Sequence, residues 1–273
     1  MNRAFDMVLW MEQWNKQTFC KLDYEVRRVM LVRLFKFQIK TMEALELDCL
    51  VSEKDQMIME GLDPRKVYRL AKMQKRVIRI ALKIGKPGFI PFLPVLPRKM
   101  ITTYNIVMRL SAFGERWMPA ISLHKVFDVK SRKTGPHEIP YFIFNIDEGK
   151  DGKDRSPQYN INRIKANGFR EMNLAEALAY QMHTRVLNRT DNNKAFIHAC
   201  GSTYRDERLV PGLYIDQEGC PGITWSEIDQ SKERWACPSY QVDRVAISWQ
   251  GIISLKAWLK LGKWRQIRKT RSP

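Results

Sequence analysis

Four carboxylates, Asp147, Glu148, Asp151 and Asp154, punctuate the stretch NIDEGKDGKDRSPQY at residues 145–159. Acids at that density bring calcium to mind first. A twelve-residue calcium loop needs oxygen ligands at positions 1, 3 and 5, glycine at 6 and a bidentate glutamate at 12. Begun at Asp147, the register puts Gly149 at position 3 and Gln158 at 12. Begun at Asn145, it puts Lys150 at the glycine position and Ser156 at 12. Both registers fail, and two lysines and an arginine oppose a cation. GKDGKD therefore reads as a turn that leaves a strand, with Ser156-Pro157 restarting order as a helix cap. Asp147 and Glu148 differ from the other acids. They end the apolar run IPYFIFNI, where a carboxylate is placed to face a cleft rather than water, and Asp147 is the functional candidate of the two.

Other reactive side chains form weaker patterns. His198, Cys200, Cys220 and Cys237 form no paired knuckle of zinc-ligand spacing. Cys200 with His183 lacks the local signature of a cysteine nucleophile, and Cys200 at the end of AFIHAC reads as a buried thiol. No GxGxxG and no Walker loop occurs. No metal and no cofactor is expected. The best candidates for a pocket are Asp147, His183, Ser202, Trp225 and Trp235. They are polar groups expected at strand ends or on a helix, beside two tryptophans large for the polar segment SEIDQSKER. The plainer reading makes the histidine and the tryptophans ordinary core.

Charge is the stronger signal. The 273 residues carry a formal net charge of +18, and it is segregated. Residues 1–86 hold 18 Lys/Arg against 11 Asp/Glu, residues 87–243 hold 21 against 18, and residues 244–273 hold 8 against none. A nearly neutral middle with basic ends implies a directed field. Within the first third, Arg65, Arg69, Lys72, Arg76, Arg79 and Lys83 are spaced 4-3-4-3-4. At 100° per residue they share an arc of roughly 80° on one helix. Val67, Leu70, Ala71, Val77, Ile78, Ala81 and Ile84 lie opposite. The stripe holds no acid, so it is either a solvated face or a face that meets phosphates. Near the other end, Lys256, Lys260 and Lys263 flank Ile252, Leu255, Trp258 and Leu259 in a basic amphipathic helix.

Three segments must position these residues. Residues 1–86 read as helical. FDMVLWMEQWNKQTF and DYEVRRVMLVRLFKFQIKTMEALEL lack Gly and Pro and repeat apolar residues at three and four. Ser52 with Asp55 suggests a capping box for a short helix ending at Gly61, and Asp63-Pro64 opens the basic helix, which runs to about Gly85. Residues 87–243 read as mixed α+β. The prolines of GFIPFLPVLP mark an edge strand or extended passage. Ile139 to Ile146 reads as a buried strand. Ser156-Pro157 opens a helix to Gly168, and Asn173 with Glu176 forms a capping box for LAEALAYQMHTRVL. Further strands are expected at AFIHAC, LVPGLYID and RVAISWQ. Strands and helices do not alternate as βαβ, so the fold class is α+β: a helical N-terminal segment packed on a mixed domain, with residues 244–273 as a strand end and basic C-terminal helix.

The middle segment also resembles a bacterial domain family of unknown function. FIPFLPVLP, IPYFIFNIDEGKD, ANGFREMNLAEALA, CGSTYRDERLVPGLYID and PGITWSEIDQSKERWACPS occur in that order over residues 88–240. The matching features are Asp147, Gly168, Gly201-Ser202, Val210-Pro211, Trp225 and Trp235. The resemblance implies a domain boundary and no chemistry, and it implies that both basic ends are peculiar to this chain. Gly201 is expected in a backbone conformation closed to other residues.

Composition bounds the function. No run nears the roughly 18 apolar residues of a spanning helix, and Asp6 and Glu12 interrupt any secretory signal. Five scattered cysteines suggest free thiols in a reducing, cytoplasmic setting. The expectation is a binding module whose basic helices contact RNA or DNA phosphates without reading sequence, with Trp258 and Trp264 available for stacking. Two alternatives stay open. One is a small-molecule or enzymatic pocket in residues 87–243. The other is a protein partner docked on the N-terminal helices.

Overall fold

The computed structural model describes residues 22–44, 71–96, 129–132, 141–184, 186–188, 196–215, 221–233 and 235–241. The chain divides into two units, residues 1–241 and 242–273, and all the described residues belong to the first. The expected caps at Ser52, Asp55 and Asp63-Pro64, the RVAISWQ strand and the C-terminal basic helix with Trp258 and Trp264 lie outside the described residues.

Helix α1, Tyr24–Ala44, forms where the sequence has no Gly or Pro for 21 residues. Leu31, Leu34, Phe35, Gln38, Ile39 and Met42 are its buried positions, at helical spacing along one face. Helix α2, Gln74–Ile84, packs beside it and buries Val77, Ile78 and Ala81. A turn at Lys72–Met73 precedes α2, so the unbroken helix expected from Asp63 to Gly85 is interrupted there. Nothing in the local residue types explains that break.

Next comes β1, Ile90–Val95, then the short β2, Val129–Ser131, then β3, Tyr141–Asp147. Helix α3, Pro157–Ala166, leads to β4, Phe169–Glu171, and then to α4, Leu174–Thr184. The remaining strands are β5 (Phe196–His198), β6 (Ser202–Tyr204), β7 (Leu209–Ile215), β8 (Pro221–Glu227), β9 (Trp235–Ala236) and β10 (Ser239–Gln241). They form three sheets, ordered β1-β3-β10-β4, β2-β6 and β8-β7-β5-β9. All described pairings are antiparallel except β5 with β9. The class is α+β, with helices on a mixed domain.

Among the described strands β1 is an edge, in keeping with its prolines, because Pro91 and Pro94 have no N–H to give a second neighbour. Its free side is covered by α1: buried Gln38 donates from Nε2 to the Phe92 carbonyl at 3.0 Å. Phe35 stacks on Phe142 at 5.6 Å and tilts against Phe92 at 6.2 Å, so α1 seals the first sheet through aromatic contact. Each such buried ring contributes about 1.5–3 kcal/mol. Strand β3 is buried on both faces up to Ile146. Helix α4 packs against both β1 and β7, and every residue of it except Ala175 is buried. It is the central post of the domain, and polar groups on it must find partners inside.

Candidate functional site

The basic helix is held so that one side faces water. Val77, Ile78 and Ala81 are buried, while Arg76, Arg79 and Lys83 on α2, and Lys72 in the turn before it, are exposed. Arg79 and Lys83 make no ion pair among the described residues. No acid occupies the first turn of α2, and Lys83 lies in its last turn, where the helix dipole favours a cation. Arg65 and Arg69, and Lys256, Lys260 and Lys263 of the tail, lie outside the described residues.

One buried amide fixes the C-terminal end of that helix. Asn145 lies at φ 48°, in the left-handed region that asparagine tolerates better than most residues. The register of β10 against β3 shifts here: Tyr240 faces Ile146 and Gln241 faces Phe144, leaving Asn145 as the extra residue of a bulge. Its Nδ2 donates to the Ile84 carbonyl at 2.8 Å and to Gln241 Oε1 at 3.0 Å. Its Oδ1 accepts from the Lys86 N–H at 3.2 Å. A residue weighed in the sequence only as a possible calcium ligand is thus the clamp between α2, β3 and β10.

The five pocket candidates occupy different surroundings. Asp147, at the end of β3, accepts from the Gly149 N–H at 3.1 Å and closes the turn that follows. Ser202, buried on β6, accepts from the Leu174 N–H at 3.0 Å and caps α4. His183 is buried near the end of α4. Burial pushes its pKa down to about 3 against a smaller pull from the Pro94 carbonyl, so the ring is neutral. Trp235 is buried and stacks on Phe196 at 4.6 Å, with His198 at 4.1 Å from its ring. Trp225 is 38% exposed and stacks on Tyr204 at 5.1 Å. Asp147 and Ser202 already serve local backbone N–H groups.

Gly201 does not have positive φ. The reason for glycine there is close approach: a Cβ would lie 2.8 Å from the Glu171 carbonyl oxygen and 2.9 Å from the Asn173 nitrogen. Among the described residues, the left-handed glycines are instead Gly88, Gly149 and Gly168.

Two buried polar clusters surround these positions. Glu176 closes the expected capping box: its Oε2 accepts from the Asn173 N–H at 2.8 Å, and Asn173 Oδ1 accepts from the Glu176 N–H at 3.0 Å. Its Oε1 accepts from the hydroxyls of Tyr141 at 2.8 Å and Tyr240 at 3.1 Å. Burial pushes the carboxyl pKa up to about 7, against three hydrogen bonds and the charge of Arg170, which pull it down. Both phenols are pushed up by burial and by the neighbouring carboxylate. The second cluster is His198, whose Nε2 lies 2.7 Å from Ser226 Oγ. The contact has the spacing of a nucleophile and its base, but both side chains are buried. Burial and the charge of Lys232 push the imidazole down to about 3, which makes it a poor base at neutral pH.

A cleft of about 490 Å³ opens between the β2–β6 pair and α3. Lys130, Arg132, Lys165 and Arg205 line it together with Glu171, Asp206, Glu207, Ser131 and Thr203. None of the five pocket candidates lines it, although Ser202 pairs with Ser131 at its wall. Lys165 lies 3.9 Å from Glu171, and Arg132 Nη2 donates to the Glu207 carbonyl at 2.6 Å. Among the described residues no group of three or more His, Cys, Asp or Glu is arranged to hold a metal ion. No described helix is long and apolar enough to cross a membrane.

No protein-family model, no curated protein and no solved structure matches this chain.

Proposed function

We propose that the protein is a polyanion-binding module, non-enzymatic and cytoplasmic, whose basic helices contact the phosphates of RNA or DNA without reading sequence. The observation that carries this reading is α2, where Arg76, Arg79 and Lys83 face water on a helix pinned from behind by Val77, Ile78 and Ala81. A rigid helix presents its charges with less conformational freedom to lose than a loose tail does. Lys256, Lys260 and Lys263 extend the reading along the sequence. Binding should be electrostatic, with log affinity falling linearly in log salt. The test is fluorescence anisotropy of a labelled single-stranded RNA and a DNA duplex across a salt series. The triple variant R76E/R79E/K83E should weaken binding to every sequence alike and lower the salt slope by about 2–3. A flat salt response, or unchanged affinity in the variant, overturns the proposal.

The cleft favours a second reading, a small anionic ligand held by Lys130, Arg132, Lys165 and Arg205. Calorimetric titration with inorganic phosphate and pyrophosphate tests it. Heat that disappears in Arg205→Ala and persists in the triple α2 variant supports the cleft. Heat that follows α2 instead refutes it.

A further inference from the structure

Two thiols far apart in the chain meet in the core. Cys200 sits in the turn between β5 and β6, and Cys237 in the turn between β9 and β10, 37 residues later. Their sulfur atoms are 2.8 Å apart, and both residues are free and fully buried. Ile161, Ile164 and Val210 enclose them, with Phe169 and Ile228 packed on the outside. From this geometry we infer that Cys200 and Cys237 are a redox-convertible pair that a hydroperoxide or a small disulfide turns into an intramolecular cross-link.

The chemistry needs little movement. A disulfide requires sulfurs at about 2.05 Å, so the two atoms must approach by less than about 1 Å, and the apolar packing already aims them at each other. With hydrogen peroxide, the thiolate of one cysteine attacks one oxygen, forming a sulfenic acid and releasing hydroxide. The sulfur of the other cysteine then attacks the sulfenic sulfur, the S–S bond forms, and the second oxygen leaves as hydroxide. The two thiol protons convert both hydroxides to water. In net, two thiols and one peroxide give one disulfide and two waters. Burial and the neighbouring Cys200 push the Cys237 thiol up, and the positive charge of Arg163 pulls it only part of the way back. The Nε and Nη2 of Arg163 are buried without a hydrogen-bond partner among the described residues.

Burial sets the rate, because the oxidant reaches the thiols only through local opening. The position sets the effect. Cys200 lies between a strand of the third sheet and a strand of the second, and Cys237 between the third sheet and the first. One bond there fastens the junction of all three.

The test uses the reduced full-length protein, treated while folded with excess hydrogen peroxide or diamide. After acid quenching, free thiols are alkylated and peptides mapped by mass spectrometry. The expected product joins the Cys200 and Cys237 peptides, is lighter by two hydrogens and reverts with dithiothreitol. Its melting temperature should exceed that of the reduced form by on the order of 10 °C, because the closed loop is long. Either cysteine remaining alkylatable, a sulfinic acid in place of the link, pairing with Cys20, Cys49 or Cys220, or a lower melting temperature in the linked form would each overturn the inference.

Discussion

Replacing Glu176 by glutamine should remove a pH dependence that belongs to this one carboxyl. In the fold its pKa is pushed from an ordinary 4.5 up to about 7, with burial as the main cause. A raised carboxyl pKa means that the folded state holds the proton more tightly than the unfolded chain. Its stabilising contribution is therefore complete below about pH 4.5 and is lost as pH rises through 7. A shift of that size corresponds to about 3 kcal/mol across the window. For a chain of this size the same quantity moves the melting temperature by roughly 6–12 °C. Glutamine keeps the shape and can still accept from the Asn173 N–H, so the capping box survives. The two tyrosine hydroxyls can turn to accept from its amide. The assay is urea unfolding of wild type and Glu176→Gln side by side from pH 4.5 to 8.5, where every other titrating group cancels in the difference. Wild type should lose about 3 kcal/mol relative to the variant over that range, with most of the change between pH 5 and 7.5. Parallel curves would refute the reasoning. They would mean that the three hydrogen bonds and Arg170, not burial, set the charge of Glu176.

Other substitutions test the supports of the basic helix and its surroundings. Asn145→Ala breaks three hydrogen bonds and loses asparagine's tolerance of positive φ, so it should cost about 3–4 kcal/mol. Asn145→Gly relieves only the backbone and should recover about 1 kcal/mol of that; denaturant titration of both separates the clamp from the strain. Gly149→Ala combines φ 75° with a Cβ that would collide with the Cys237 carbonyl oxygen, and a loss of about 3 kcal/mol is expected by thermal unfolding. Ser202→Ala removes an acceptor from the buried N-terminus of α4 and should cost about 1–2 kcal/mol, whereas Ser202→Thr should retain most of the stability if the hydroxyl only caps.

Local chemistry made part of this fold legible. Ser156 accepts from the Tyr159 N–H at 3.2 Å with Pro157 at the first helical position, as the Ser-Pro pair requires. Asn173 and Glu176 exchange both bonds of a capping box, and the apolar run before Asp147 is the doubly buried strand β3. These features are written in neighbouring residues. What the sequence hid depends on distant ones. β4, β6 and β10 are three residues each, too short for a period to register; β10 pairs with the longer β3, β4 with β10, and β6 with the equally short β2. The need for glycine at 201 comes from a carbonyl at Glu171, thirty positions away. The bulge at Asn145 depends on how β10 meets β3, and the thiol pair depends on two turns that only tertiary packing brings together. For the candidate site, one periodic stripe was readable and its clamp was not. An asparagine inside a strand carries no signal of the carbonyl and amide it will meet.

The placement of polar groups bears on which chemistry the fold can support. Asp147 accepts from a turn, Ser202 and Glu176 serve the start of α4, and His198 faces Ser226 out of contact with water. Each of these groups already makes a hydrogen bond to the protein's own backbone or side chains. Removing them should lower stability before it touches any reaction. The exposed cations differ in kind. Arg79 and Lys83 on α2 and Lys130 at the cleft form no ion pair among the described residues. Like charges one turn apart, such as Arg79 and Lys83, repel each other by a few tenths of a kcal/mol. An anion laid along α2 cancels that repulsion. Under the proposed function a polyanion would supply the screening that α2 lacks alone, while the buried amide of Asn145 holds the C-terminal end of the helix in place.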